Sequence, residues 1–200
     1  MNNPFSAWYD NASSGARSSS YNDPPPSVFG ALPVGSPDAT NSTIVTFTFT
    51  AFNPSIMNCT VVGPNNAPSF YVITDPAMPA YTLFKTPDGK SFGLIEWGRT
   101  SQVEVRGIVA KQSTSQFLRL SSDQRFRVMQ IGGHDYMWIP GQGSIMLYPA
   151  GVSASNGSRL AQMRMRGQNV ILEIDQNAAR SGLLNPVIVA VVLLQSGRAL

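Results

Sequence analysis

The sequence predicts a mainly β fold: about eleven or twelve antiparallel strands closed as a barrel around one buried, apolar C-terminal helix. Three observations carry that expectation. Charge is scarce, since only 12% of the 200 residues are Asp, Glu, Lys or Arg, about half of the usual ~25%. Short runs that alternate apolar and polar side chains recur along the chain, separated by Gly, Pro and Asn. From Val187 to Leu194 every residue is apolar, so that segment has no face to offer water. Composition excludes the competing classes. A helical bundle would be rich in Ala, Glu, Lys and Leu. A polytopic membrane protein would be far more apolar than a mean hydropathy of −0.04. A disulfide scaffold needs more than the single Cys59.

Residues 1–40 read as an unfolded tail. They hold Ser18-Ser19-Ser20 and Pro24-Pro25-Pro26 with no apolar period, and cannot bury enough surface to offset chain entropy. Phe5, Trp8, Tyr9, Tyr21 and Phe29 are scattered through this stretch. The folded domain is expected over 41–200. Its first strand is Thr43 to Thr50, with Val45, Phe47 and Phe49 on one face and threonines on the other. Cys59–Val62 and Phe70–Ile73 follow, joined by the turn Gly63-Pro64-Asn65-Asn66. Tyr81–Lys85 and Ser91–Glu96 flank Pro87-Asp88-Gly89, where Pro presets φ and Gly accepts positive φ.

Gln102 to Arg106 alternates again. Arg125–Ile131 turns through Gly132-Gly133-His134-Asp135 into Tyr136–Ile139, and Gly141-Gln142-Gly143 leads to Ser144–Tyr148. Leu160–Arg166 and Asn169–Ile174 pair across Gly167-Gln168. The last element reads as a helix, with Asn185 as its N-cap and Pro186 at its first position. A fully buried strand is the rival reading of so short a Val/Ile-rich run.

Tyr136-Met137-Trp138-Ile139-Pro140 after a glycine turn, Leu147-Tyr148, the Leu160–Ile174 hairpin ending in Leu172-Glu173-Ile174, and the Leu183-Leu184…Val187-Ile188-Val189-Ala190 helix occur in this order. In these features the chain resembles an uncharacterised domain family abundant in mushroom-forming fungi. It is also similar, more broadly, to the tubby C-terminal-like superfamily of tubby domains, phospholipid scramblases and plant LURP-one-related proteins. The resemblance implies a barrel around a central helix, membrane-surface or phosphoinositide binding, and nothing catalytic.

The residues themselves offer little enzyme chemistry. His134 is the lone histidine; with Cys59 or a carboxylate it could serve a metal or a nucleophile, but a Gly-Gly turn suits a merely solvated imidazole. Glu173 and Asp175 share a strand face, as a glycosidase pair would, yet Asn177 and Arg180 nearby read as an ordinary strand exit. No phosphate-binding loop precedes a helix. No cofactor is expected.

The basic residues are more suggestive. Residues 1–40 carry one arginine against three aspartates, net −2, so the remainder carries 13 basic and 8 acidic groups, net +5. Arg164 and Arg166 share one strand face, and Arg125 and Arg127 flank Phe126. If the two pairs are neighbours on the wall, their guanidinium forks make a phosphate site; otherwise they serve solubility and edge protection.

The expected function is therefore a non-enzymatic intracellular module. It binds an anionic phospholipid or phosphoinositide surface, or a protein partner through the tail, with no nucleic acid. Met1-Asn2-Asn3-Pro4 lacks a secretory pattern, and the C-terminal apolar run is too short to span a bilayer. The expected location is cytoplasmic, including the periphery of a membrane. Asn-x-Ser/Thr sequons at Asn11, Asn41, Asn58 and Asn156 read as products of composition. The alternatives are a small-molecule carrier or enzyme with a pocket at the barrel mouth, and a scaffold whose tail recruits partners.

Overall fold

The computed structural model describes residues 44–151 and 159–198; the tail expected over 1–40 lies outside them. Thirteen strands form one sheet in these residues. They are β1 (Ile44–Thr50), β2 (Cys59–Val62), β3 (Pro68–Thr74), β4 (Tyr81–Lys85), β5 (Ser91–Glu96), β6 (Gln102–Val105), β7 (Val109–Ser113), β8 (Arg119–Leu120), β9 (Arg127–Ile131), β10 (His134–Gly141), β11 (Ser144–Pro149), β12 (Ala161–Arg166) and β13 (Asn169–Asp175). A one-turn helix, α1 (Thr114–Phe117), links β7 to β8, and α2 (Gln176–Gln195) follows β13.

Nearly every strand pairs with its sequence neighbour, and β1 joins the two wings by pairing with β13 (Phe47 opposite Leu172). The order is β7-β6-β5-β4-β3-β2-β1-β13-β12-β11-β10-β9-β8. This sheet is not the closed barrel expected from the sequence. All its pairs are antiparallel, so across thirteen strands the two outermost, β7 and β8, run the same way. β8 is also only two residues long. The edges are joined by α1 rather than by hydrogen bonds. Ser113 caps that turn reciprocally with Gln116, a capping box.

The sheet curls around α2. Every residue from Pro186 to Leu194 is buried, and the inward residues of both wings join it in one core: Phe47, Phe49, Val61, Val72 and Phe84 on one side, Met129, Trp138, Leu147 and Met163 on the other. Burying each such side chain contributes roughly 1.5–3 kcal/mol. The helix is long and apolar enough to cross a membrane, but its apolar residues are spent on the sheet.

Helix, not strand, is the outcome for the C-terminal run, yet it starts earlier than the sequence implies. Asp175 is the N-cap, its Oδ1 accepting the Asn177 and Ala178 amides at 2.9 Å each. Gly182 (φ 95°) kinks the helix, and Asn185 and Pro186 lie in the first turn after that kink. Proline is tolerated there because first-turn amides have no intrahelical acceptor. His134 also departs from its expected place. The turn closes on Gly132 and Gly133, both at positive φ, and His134 begins β10 opposite Ile131.

Candidate functional site

Strand alternation sorts the connections into two ends. The loops at 51–58, 75–80, 97–101, 121–126, 142–143 and 167–168 lie at one end, called the upper end here. The turns at 63–67, 86–90, 106–108 and 132–133 lie at the lower end, where α2 starts. The helix rises through the sheet, and beyond it Arg198 stacks 4.4 Å over the Trp97 ring at the upper end.

The four arginines singled out from sequence all lie toward this upper end, but they do not form one cluster. β12 and β9 are separated by β11 and β10, roughly 14 Å at ~4.8 Å per strand. Their faces differ too. Arg164 alternates with the buried Ala161 and Met163 and faces outward. Arg127 shares the face of Met129 and pairs across from the buried Trp138, so it faces inward. Its Nη1 donates to the Leu118 carbonyl at 2.8 Å, and partial burial lowers its pKa from the ordinary arginine value. Arg164 donates to Glu173 at 2.7 Å. Arg125 and Arg166 are exposed, the first in the 121–126 turn and the second beside the 167–168 turn.

The turn that carries Arg125 is built by Ser121 and Asp123. Ser121 Oγ donates to Asp123 Oδ1 at 2.6 Å, and the Arg125 amide donates to both side chains. The Ser121 hydroxyl and that amide hold the Asp123 carboxyl below its usual range. Exposed Arg99 lies in the 97–101 loop of the same end.

Apolar side chains stand among these arginines. Among the described residues six large hydrophobics are exposed, and Met78, Tyr81, Leu120 and Met165 are at the upper end. Sequence reading missed this rim. Arg99, Arg198, Met78, Leu120 and Met165 are far apart in the chain, and only hairpin parity brings them to one end.

A buried relay stiffens part of the rim. Trp97 Nε1 donates to Thr82 Oγ1 at 2.7 Å, and Thr74 Oγ1 donates to the Met57 carbonyl at 2.7 Å. The 2.7 Å contact between the two threonines therefore takes its proton from Thr82. The chain of bonds ties the 97–101 loop, β4, β3 and the 51–58 loop together.

The enzyme-like residues are apart or otherwise engaged. Cys59 is buried at the upper end of β2, and desolvation pushes its thiol up to about 12, so it is no thiolate near neutral pH. His134 lies at the lower end. Glu173 pairs with Arg164 and Asp175 caps α2. Among the described residues no group of three His, Cys, Asp or Glu could hold a metal.

No protein-family model matches the chain, and no curated protein matches it. Among solved structures it is similar to a protein from Arabidopsis thaliana known by X-ray crystallography. The two are 13% identical with a TM-score of 0.41, covering 75% of this chain and 92% of that one.

Proposed function

We propose that this chain is a non-enzymatic, intracellular binding module that docks on an anionic phospholipid surface through the upper end of its sheet. The observation that carries the reading is the mixed rim: exposed Arg99, Arg125 and Arg166, with Arg198, interspersed with Met78, Tyr81, Leu120 and Met165. A basic residue at an anionic membrane surface contributes about 1 kcal/mol. Thioethers and Leu side chains add affinity by leaving water for the acyl boundary. The three upper-end acids, Asp75, Glu96 and Asp123, do not cancel this charge fully: Asp75 and Asp123 are engaged in their own turns and Glu96 pairs with Lys111. Arg127 and Arg164 then have supporting roles, holding the α1 exit and the β12–β13 pair. On this reading the chain is a divergent relative of the tubby C-terminal-like superfamily and of the fungal family it resembles. Shared design, a curled antiparallel sheet around a C-terminal helix, supports that kinship.

Sedimentation of the full chain with vesicles tests the proposal. Vesicles with about one third phosphatidylserine should carry the protein down at 0.1 M salt, and neutral phosphatidylcholine vesicles should not. Raising the salt should weaken binding as screening grows. Equal or absent sedimentation on the two vesicle types would refute the lipid reading.

A further inference from the structure

Of the eight methionines in the chain, seven lie among the described residues, and their exposure is very unequal. Met129 and Met163 are 0% and 1% exposed in the core. Met57, Met137 and Met146 are half-buried. Met78 and Met165 are 54% and 51% exposed, and both stand at the upper end. Hydrogen-bonded backbone fixes their places. The Met78 amide donates to the Asp75 carbonyl, and the Met78 carbonyl accepts from Tyr81. Met165 pairs with the buried Val170 near the top of β12, two residues beyond Met163. The two thioethers most open to a reagent in water are thus the two that the docking rim uses.

We propose that Met78 and Met165 are reversible oxidation sites, at which a hydroperoxide releases the upper end from an anionic membrane; the inference rests on the docking reading above. The chemistry needs only the peroxide. A lone pair of Sδ attacks the hydroxyl oxygen of the peroxide, an S–O bond forms and the O–O bond breaks. The sulfur gives up two electrons, the departing alkoxide takes the hydroxyl proton, and the products are a sulfoxide and an alcohol. A sulfoxide is polar, so it stays in water where the thioether would leave it for the acyl boundary.

No thiolate competes for the oxidant. Cys59 is the only cysteine, it is buried, and burial pushes its thiol up to about 12, far above neutral pH. The reaction leaves the rim arginines untouched. It therefore removes the apolar part of docking and spares the electrostatic part, so the binding that remains should be weaker and more sensitive to salt. Reduction of the sulfoxide, by the two enzymes that each handle one of its epimers, restores the thioether.

Vesicle sedimentation of the full chain before and after treatment with tert-butyl hydroperoxide tests this, with peptide mass spectrometry to locate the added oxygen. Met78 and Met165 should gain oxygen several-fold faster than Met129 and Met163. The oxidised chain should then lose roughly tenfold or more in affinity for phosphatidylserine vesicles, and sulfoxide reductases should restore it. Met78→Leu with Met165→Leu should bind like wild type and keep its affinity through the same treatment. Met78→Gln with Met165→Gln, polar without any oxidant, should bind as weakly as the oxidised chain. A reduced wild type that binds, with an oxidised form that binds equally well, would overturn the switch and leave docking standing. An equal loss in the leucine variant, or oxygen gained as fast at the buried pair, would do the same. A reduced wild type that does not bind would overturn the docking reading itself, and the switch with it.

Discussion

Gly93 on β5 packs directly against the helix. A methyl group there would meet Val189 Cγ2 at 3.2 Å, Phe84 Cδ2 at 3.3 Å and the Glu104 carbonyl at 3.4 Å. Gly93→Ala should therefore destabilise by about 1–3 kcal/mol through overpacking, seen as a lower urea midpoint with an unchanged slope. Thr82 is fully buried and accepts the Trp97 indole proton. Thr82→Val keeps the shape and removes the acceptor, so it should cost about 1–3 kcal/mol. Thr82→Ser, which keeps the hydroxyl, should recover most of the lost hydrogen bonding. Equal losses in the two variants would show that the relay contributes nothing.

Asp88 illustrates a pH effect of definite sign. Lys90 and then Thr86 hydrogen-bond its carboxyl and hold it down to about 2 from 3.8. Because the folded value is the lower one, its stabilisation is complete above pH 3.8 and is lost as pH falls toward 2. The group is exposed, so the effect is small. Melting curves between pH 4 and 2 should fall more steeply for wild type than for Asp88→Asn, and a shallower wild-type fall would contradict the assignment.

At the scale of elements, the helix carries the core and its cap sets where it begins. Ile188 is fully buried, so Ile188→Ala should cost about 2–5 kcal/mol. Asp175→Ala should cost about 1 kcal/mol by removing the acceptor of two first-turn amides, whereas Asn185→Ala should change little. Chemical denaturation of the three variants separates the cap seen in the structure from the one the sequence suggests. The sequence pointed to Asn185 because Asn-Pro before an apolar run is a common helix opening. The chain instead starts its helix at the strand end and uses Gly182 to re-aim it.

Strands with clean alternation were legible almost residue for residue: Cys59–Val62, Tyr81–Lys85 and Ser91–Glu96. β7 was not, because Val-Ala-Lys-Gln-Ser has one apolar anchor at a sheet edge and no period to read. β8 is too short to have one. The Ser113-Thr114-Ser115-Gln116 capping box was a visible signal for α1 that strand periodicity overshadowed.

For the whole molecule, topology decides what composition could only suggest. The sequence identified arginine as the chemistry to watch, but pairing by proximity in the chain put Arg127 with Arg125 and Arg164 with Arg166. Strand alternation turns Arg127 inward, and Glu173 engages Arg164. It also gathers Arg99 and Arg198 from distant segments to the end that holds Arg125 and Arg166. Closure of the sheet was beyond sequence reading for a related reason, since an odd strand number leaves the outermost strands running the same way.

The most direct measurement compares charge reversal at the two ends by vesicle sedimentation. Arg125→Glu with Arg166→Glu and Lys90→Glu with Arg180→Glu change net charge equally, at the upper and lower ends respectively. The upper pair should lose roughly thirtyfold or more in affinity for phosphatidylserine vesicles, at about 1 kcal/mol per basic contact. The lower pair should lose only the small part due to net charge. Equal losses from the two pairs, or a greater loss from the lower one, would contradict docking through the upper end.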